Sequence, residues 1–210
     1  MAPFDPRQLE AELASCVGSH AGHVAWLRGM DPVEAGRPSR LPRWTVGHVL
    51  THIARNADSH RELLDGRPQY PSFESRNADI EAGAARSWDD LVDDVAASAV
   101  ALDARRAATA DWDGVVEMVA GPRPRYLLPL LRQREVEVHR ADLGLGYRFD
   151  DMPAEYVRRE LRMLEMLWRA RKPMGLTPLP PAALRLPPPT RLAWMTGRAE
   201  IDGLPAAGLF

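Results

Sequence analysis

At 210 residues, with 45% hydrophobic and 27% charged side chains, the chain has the makeup of a soluble globular protein and the length to bury a full core. Its net charge of −2 gives no electrostatic reason to expect nucleic acid or an anionic membrane as a partner. A lone cysteine, Cys16, excludes an internal disulfide and a cysteine-based metal cage, and no apolar run reaches the length of a membrane span.

Met1–Pro6 carries no signal-peptide pattern, so the chain reads as cytoplasmic. A first helix is predicted from Asp5 or Pro6 to Met30, with Leu9, Leu13, Val17, His20, Val24 and Leu27 recurring at helical period. Asp31-Pro32 ends it, and the Pro/Gly/Ser-rich stretch 31–43 is a connector. His20 lies inside the apolar stripe and reads as a core histidine with a hydrogen-bond partner. The second helix starts at Thr45, an N-cap just after Trp44, and runs to about Leu64, where Asp65-Gly66-Arg67-Pro68 stops it. Its inward stripe of Val49, His52, Ile53, Asn56, His60 and Leu63 is polar in the middle. His48 falls in the first turn and reads as a first-turn or surface residue, and His60 as a boundary residue.

Residues 70–86 read as a loop with a short helical piece. A third long helix, capped by Ser87, turns Leu91, Val92, Val95, Ala99 and Leu102 inward, and its early aspartates suit the helix dipole. Trp112–Pro124 is expected to be irregular or weakly extended. The fourth helix is Leu130–Gly144, with Pro129 in its first turn, Gly144 at its end and Leu131, Val138 and Leu145 apolar. A fifth spans about Pro153 to Arg171, with Val157, Leu161, Leu164 and Trp168 inward. Beyond 172, Pro173, Pro178, Pro180, Pro181 and Pro187–Pro189 argue against regular helix, apart from a short one over Arg191–Arg198, and the tail ends in Leu209-Phe210. The pattern predicts a mainly α protein: an antiparallel bundle of four main helices over residues 1–172 and a short Pro-rich C-terminal segment over 173–210.

The fourth helix holds the chemistry. Glu135 and His139 stand four residues apart, which places them about 40° apart around the axis and one turn along it. Arg132 and Asp142 share that face. With helices two and four side by side, His52 can meet Glu135 and His139, giving two imidazoles and a carboxylate. Three protein ligands leave an open position at a divalent ion, as in catalytic zinc sites, and the same set suits non-haem iron. Asp142 and Asn56 are natural supports for an imidazole or a bound ligand. Arg132 is placed to pair with Glu135 or with an anionic substrate. The alternative is a buried salt-bridge network without metal.

The segments PRWTVGHVLTHIARNADSHRELL (42–64) and PLLRQREVEVHRADLGLGY (129–147) resemble the mycothiol-dependent maleylpyruvate isomerase family, within the wider DinB-like metalloenzymes. RNADIEAGAAR (76–86) and AWMTGR (193–198) add to the resemblance, which runs over most of the chain. It implies an up-down-down-up helix bundle with a zinc site, iron or nickel being the alternative metals, and His52, Glu135 and His139 as ligands. It further implies mycothiol as co-substrate and a small-molecule electrophile as partner; for the assembly, a monomer or homodimer is expected. Arg76 and Arg198 lie in family-like motifs and are candidates for binding the substrate carboxylates or the thiol.

The reading that follows is a zinc- and mycothiol-dependent maleylpyruvate isomerase, working by reversible thiolate addition to an activated double bond. No catalytic side chain beyond the metal-activated thiol is assigned. The rivals are a mycothiol S-transferase that conjugates electrophiles, and a non-catalytic metal-binding or ligand-sensing bundle; an iron-dependent oxygenase is disfavoured by the resemblance. The region before AWMTGR is short and Pro-rich, so a reduced C-terminal domain is expected.

Overall fold

A computed structural model of the protein describes residues 5–171 and 177–208; Pro173 and the Leu209-Phe210 tail lie outside the described residues. The chain forms two compact units, 1–145 and 146–210, so the division falls before the fifth long helix rather than after it.

The first unit contains α1 (Pro6–Arg28), α2 (Val46–Leu64), α3 (Phe73–Gly83), α4 (Trp88–Ala107), a hairpin of β1 (Val115–Met118) and β2 (Gly121–Pro124), and α5 (Leu128–Asp142). Local chemistry sets their ends. Asp5, Thr45, Ser72 and Ser87 each accept a backbone N–H of the helix they precede, satisfying donors the first turn leaves open. His48 completes a capping box, its Nδ1 accepting the Thr45 backbone N–H at 3.2 Å, which explains its first-turn position.

Residue pairings fix the directions. Arg28 meets Asp93 and His20 meets Asp103, so α1 and α4 are antiparallel. Gln133 reaches Ser15 while Arg140 stacks on Trp26, so α1 and α5 are parallel. Arg55 pairs with Asp94 and Arg105 with Asp65, so α2 and α4 are parallel. The four helices pack in the ring α1–α4–α2–α5, with the up-down-down-up order. Apolar clusters occupy both ends of this bundle. One joins Leu27, Val49, Leu50, Ile53, Leu91 and Leu143; the other joins Leu9, Leu63, Leu102, Trp112, Val116 and Leu128. Between them the interior is polar, with Arg132, His20 and Asn56 buried.

The second unit comprises α6 (Ala154–Arg169), α7 (Pro181–Leu184) and α8 (Pro188–Met195). The tryptophans Trp168 and Trp194 lie 5.2 Å apart, and their indole N–H groups donate to the Pro178 and Pro205 carbonyls.

Several expectations change. Pro181, Pro188 and Pro189 do not exclude helix but open α7 and α8, because first-turn residues need no intrahelical N–H bond. Within 112–124, expected to be irregular or weakly extended, residues 115–124 pair as the β1–β2 hairpin. The short helix expected at 77–86 is α3, beginning at Phe73. The buried face of α1 is rotated: Leu9, His20 and Leu27 are buried as expected, but Val17 is exposed, and Glu12, Cys16, Ser19 and His23 are buried. Helix packing chooses the buried stripe, and a helix with weak apolar bias leaves that choice open. His60 is buried rather than at a boundary.

Candidate metal centre

Two helices supply the centre, α2 and α5, which pack against each other in opposite directions. The inward stripe of α2 carries His52, and α5 carries Glu135 and His139 one turn apart. His52 Nε2 lies 3.0 Å and His139 Nε2 3.3 Å from the same Glu135 oxygen, Oε2. The imidazole rings meet edge to face at 4.8 Å. One ligand atom from each of the three residues lies within 4.8 Å of the others, a spacing a single divalent cation can bridge. The expected trio is therefore brought together in space.

The two histidines are backed by different partners. Asp142 Oδ2 lies 2.8 Å from His139 Nδ1, so the ring can keep a proton there and present Nε2. Behind His52 stands Arg76, on α3, with Nη2 at 3.2 Å from Nδ1. Trp44 meets the His52 ring edge-on at 5.4 Å. Trp44 is placed by an irregular loop: Arg43 has a left-handed backbone (φ 66), and the Ser39 hydroxyl donates to the Trp44 carbonyl. Trp44, with Arg43, Asn77, Ile80 and Glu81, also lines a hollow of about 350 Å³.

The electrostatics separate the three groups. Burial pushes His52 down to about 4, outweighing its hydrogen bond to Glu135, so the ring is neutral at pH 7. Burial would raise Glu135, but hydrogen bonds from His139 and His52 prevail and hold it well below the carboxylate range. Burial would lower His139, but Asp142 and Glu135 raise it above its ordinary value. A neutral imidazole, an ionised carboxylate and an imidazole backed by a carboxylate form a donor set for a divalent transition metal.

Within the first unit, Arg132 and Asn56 go elsewhere. Arg132 is fully buried and turns toward the bundle axis, donating to His20 Nε2 at 3.1 Å and to the Ile53 carbonyl and Asn56 Oδ1 at 2.8 Å each. No ion pair joins it to Glu135, and Asn56 supports Arg132 rather than an imidazole. Arg198 lies in the second unit, donating to the Thr196 carbonyl at 2.7 Å.

Sequence reading missed the network beneath Arg132. His20 Nδ1 lies 2.9 Å from Asp103, and Arg106 donates to the Cys16 sulfur at 3.0 Å. Burial would raise the Cys16 thiol, yet Arg106 and His20 bring it down to about 7. The available signal was Asp103-x-x-Arg106, two charges continuing the apolar stripe of α4.

Among the described residues, no helix is long and apolar enough to cross a membrane. Residues 17–144 match the family model described as the mycothiol maleylpyruvate isomerase N-terminal domain. No curated protein sequence matches the chain. The fold is similar to that in a crystal structure of the mycothiol-dependent maleylpyruvate isomerase, at 24% identity and a TM-score of 0.78, over 91% of this chain and 90% of that one. A histidine-to-alanine mutant of that isomerase is similar at 23% identity, with the same TM-score and coverage. The C-terminal reduction expected from sequence thus does not set this chain apart from that isomerase, nearly all of which has a counterpart here.

Proposed function

The chain belongs to the mycothiol maleylpyruvate isomerase N-terminal domain family, and from that membership and the geometry above we propose that it is a metal- and thiol-dependent cis–trans isomerase of maleylpyruvate or a closely related unsaturated acid. The observation that carries this reading is the convergence of His52 Nε2 and His139 Nε2 on Glu135 Oε2.

His52, Glu135 and His139 would hold the metal, with zinc the expected ion. When bound, it supplies the Lewis acidity by which a low-molecular-weight thiol, mycothiol in this reading, ionises at neutral pH. Asp142 fixes the orientation of His139 and keeps its Nδ1 protonated. Glu135 keeps a fifth of its side-chain surface exposed, so a small molecule has an edge to approach, while the buried imidazoles exclude water from the rear. Arg76, half-buried beside the centre, supplies the positive charge that a dianionic substrate needs.

The chemistry is reversible addition. The thiolate adds to the activated cis carbon–carbon double bond, and the electron pair moves onto the conjugated carbonyl. The former double bond is now single and rotates. Electrons return, the carbon–sulfur bond breaks, and the trans acid and the thiolate are released. Cys16 takes no part, since it is buried on α1 in contact with Arg106.

The test incubates zinc-loaded protein with maleylpyruvate and mycothiol and follows product and free thiol. Trans product with thiol returned supports the proposal. Net consumption of thiol would make the protein an S-transferase, and metal binding with no turnover would make it a non-catalytic metal-binding bundle.

A further inference from the structure

The two histidines at the centre have opposite partners on their far nitrogens. His139 Nδ1 faces a carboxylate oxygen of Asp142 at 2.8 Å, and His52 Nδ1 faces Nη2 of Arg76 at 3.2 Å. A neutral imidazole that gives one nitrogen's lone pair to a metal carries its proton on the other. That proton is welcome at Asp142, which only accepts. It is unwelcome at Arg76, because a guanidinium has N–H donors and no acceptor. With Nε2 as ligand, His52 would point an N–H at an N–H, and at a full positive charge, one ring away from a divalent cation.

Resting on the metal-site reading above, the geometry points to Arg76 as a positioning residue that opposes His52 as a ligand, so that Arg76 and the metal compete for this one imidazole. His139 is strengthened from behind and His52 is weakened. Arg76 has somewhere else to go. Its Nη1 already donates to Asn77 Oδ1 at 3.0 Å, and its guanidinium lies 5.8 Å from the centre of the Tyr70 ring. α3 is short, and Arg76 is only half-buried, so the side chain has room to swing away from His52. An anionic group arriving at the centre would take the guanidinium and remove the opposition. Carboxylate binding and metal binding therefore reinforce each other, and by linkage each does so to the same degree. This would make the metal weakly held until a carboxylate-bearing ligand is present.

The experiment measures zinc affinity by competition with a chromogenic chelator near pH 7, for wild type, Arg76→Met and Arg76→Gln, with His52→Ala as control. Arg76→Met removes the charge and should tighten zinc about tenfold, the scale of one charge-assisted contact. Arg76→Gln can turn its carbonyl oxygen to His52 Nδ1 and should tighten zinc at least as much. Long-range nitrogen–proton NMR of the His52 ring gives a readout independent of activity. Before zinc is added, wild type should carry its proton on Nε2, and Arg76→Gln should shift it toward Nδ1. Unchanged or weaker affinity in both variants, with wild type binding zinc and His52→Ala failing to, overturns this inference and leaves the proposed function standing. If wild type binds no better than His52→Ala, both fall.

Discussion

Asp142 Oδ2 lies 2.8 Å from His139 Nδ1, and both residues sit on α5, one turn apart. The contact is local to one helix, yet it decides which ring nitrogen faces α2. Asp142→Asn keeps the shape and removes the charge. Zinc affinity should fall by about 10- to 100-fold, the cost typical of losing a carboxylate behind a metal-bound histidine. A chelator-competition titration measures it, and unchanged affinity would show that Asp142 serves only the α5 terminus.

His52→Ala and Glu135→Ala should abolish stoichiometric zinc while preserving the helical content. These side chains sit between two apolar clusters that hold the bundle without them. Elemental analysis alongside far-ultraviolet circular dichroism checks both halves. Full zinc content in both variants would mean the ligands lie elsewhere.

Arg132 is expected to matter for folding rather than for metal. Arg132→Met strands His20 Nε2, the Ile53 carbonyl and Asn56 Oδ1 in the interior. The loss should be about 3 kcal/mol, the cost of leaving buried polar acceptors without a donor. Urea unfolding measures this, and zinc content per folded molecule should be unchanged.

Cys16 makes stability depend on pH. Its folded value of about 7 lies below the ordinary 9.0, so the thiolate form is favoured in the fold. The stabilisation is complete above the unfolded value and is lost as pH falls through the folded one. Compared with Cys16→Ser, wild type should gain on the order of 2 kcal/mol between about pH 6 and pH 9.5, by urea unfolding at each pH. A constant difference across that range would mean that Arg106 and His20 do not ionise the thiol.

Two glycines should respond in opposite directions to alanine. A Cβ on Gly47 would come within 1.9 Å of the Ala84 carbonyl oxygen, where the start of α2 meets the end of α3. Gly47→Ala should cost about 3 kcal/mol. Gly18, within α1, has nothing within 4 Å of a Cβ, so Gly18→Ala should stabilise by about 0.5–1 kcal/mol. Thermal unfolding of the pair provides the comparison.

The sequence by itself determined what depends on near neighbours. Thr45 and Ser87 mark helix starts because a cap acts within three residues, and Glu135 and His139 share a face because four residues make about one turn. The α4 stripe was legible for the same reason, its apolar residues recurring at helical period. The tertiary structure decided what depends on helix rotation and packing order. It turned Arg132 toward His20 and away from Glu135, swung Val17 out and Cys16 in, and set a cation rather than an acceptor behind His52. None of these leaves a periodic trace, because each is settled where side chains from different helices compete for the same few ångströms of interior.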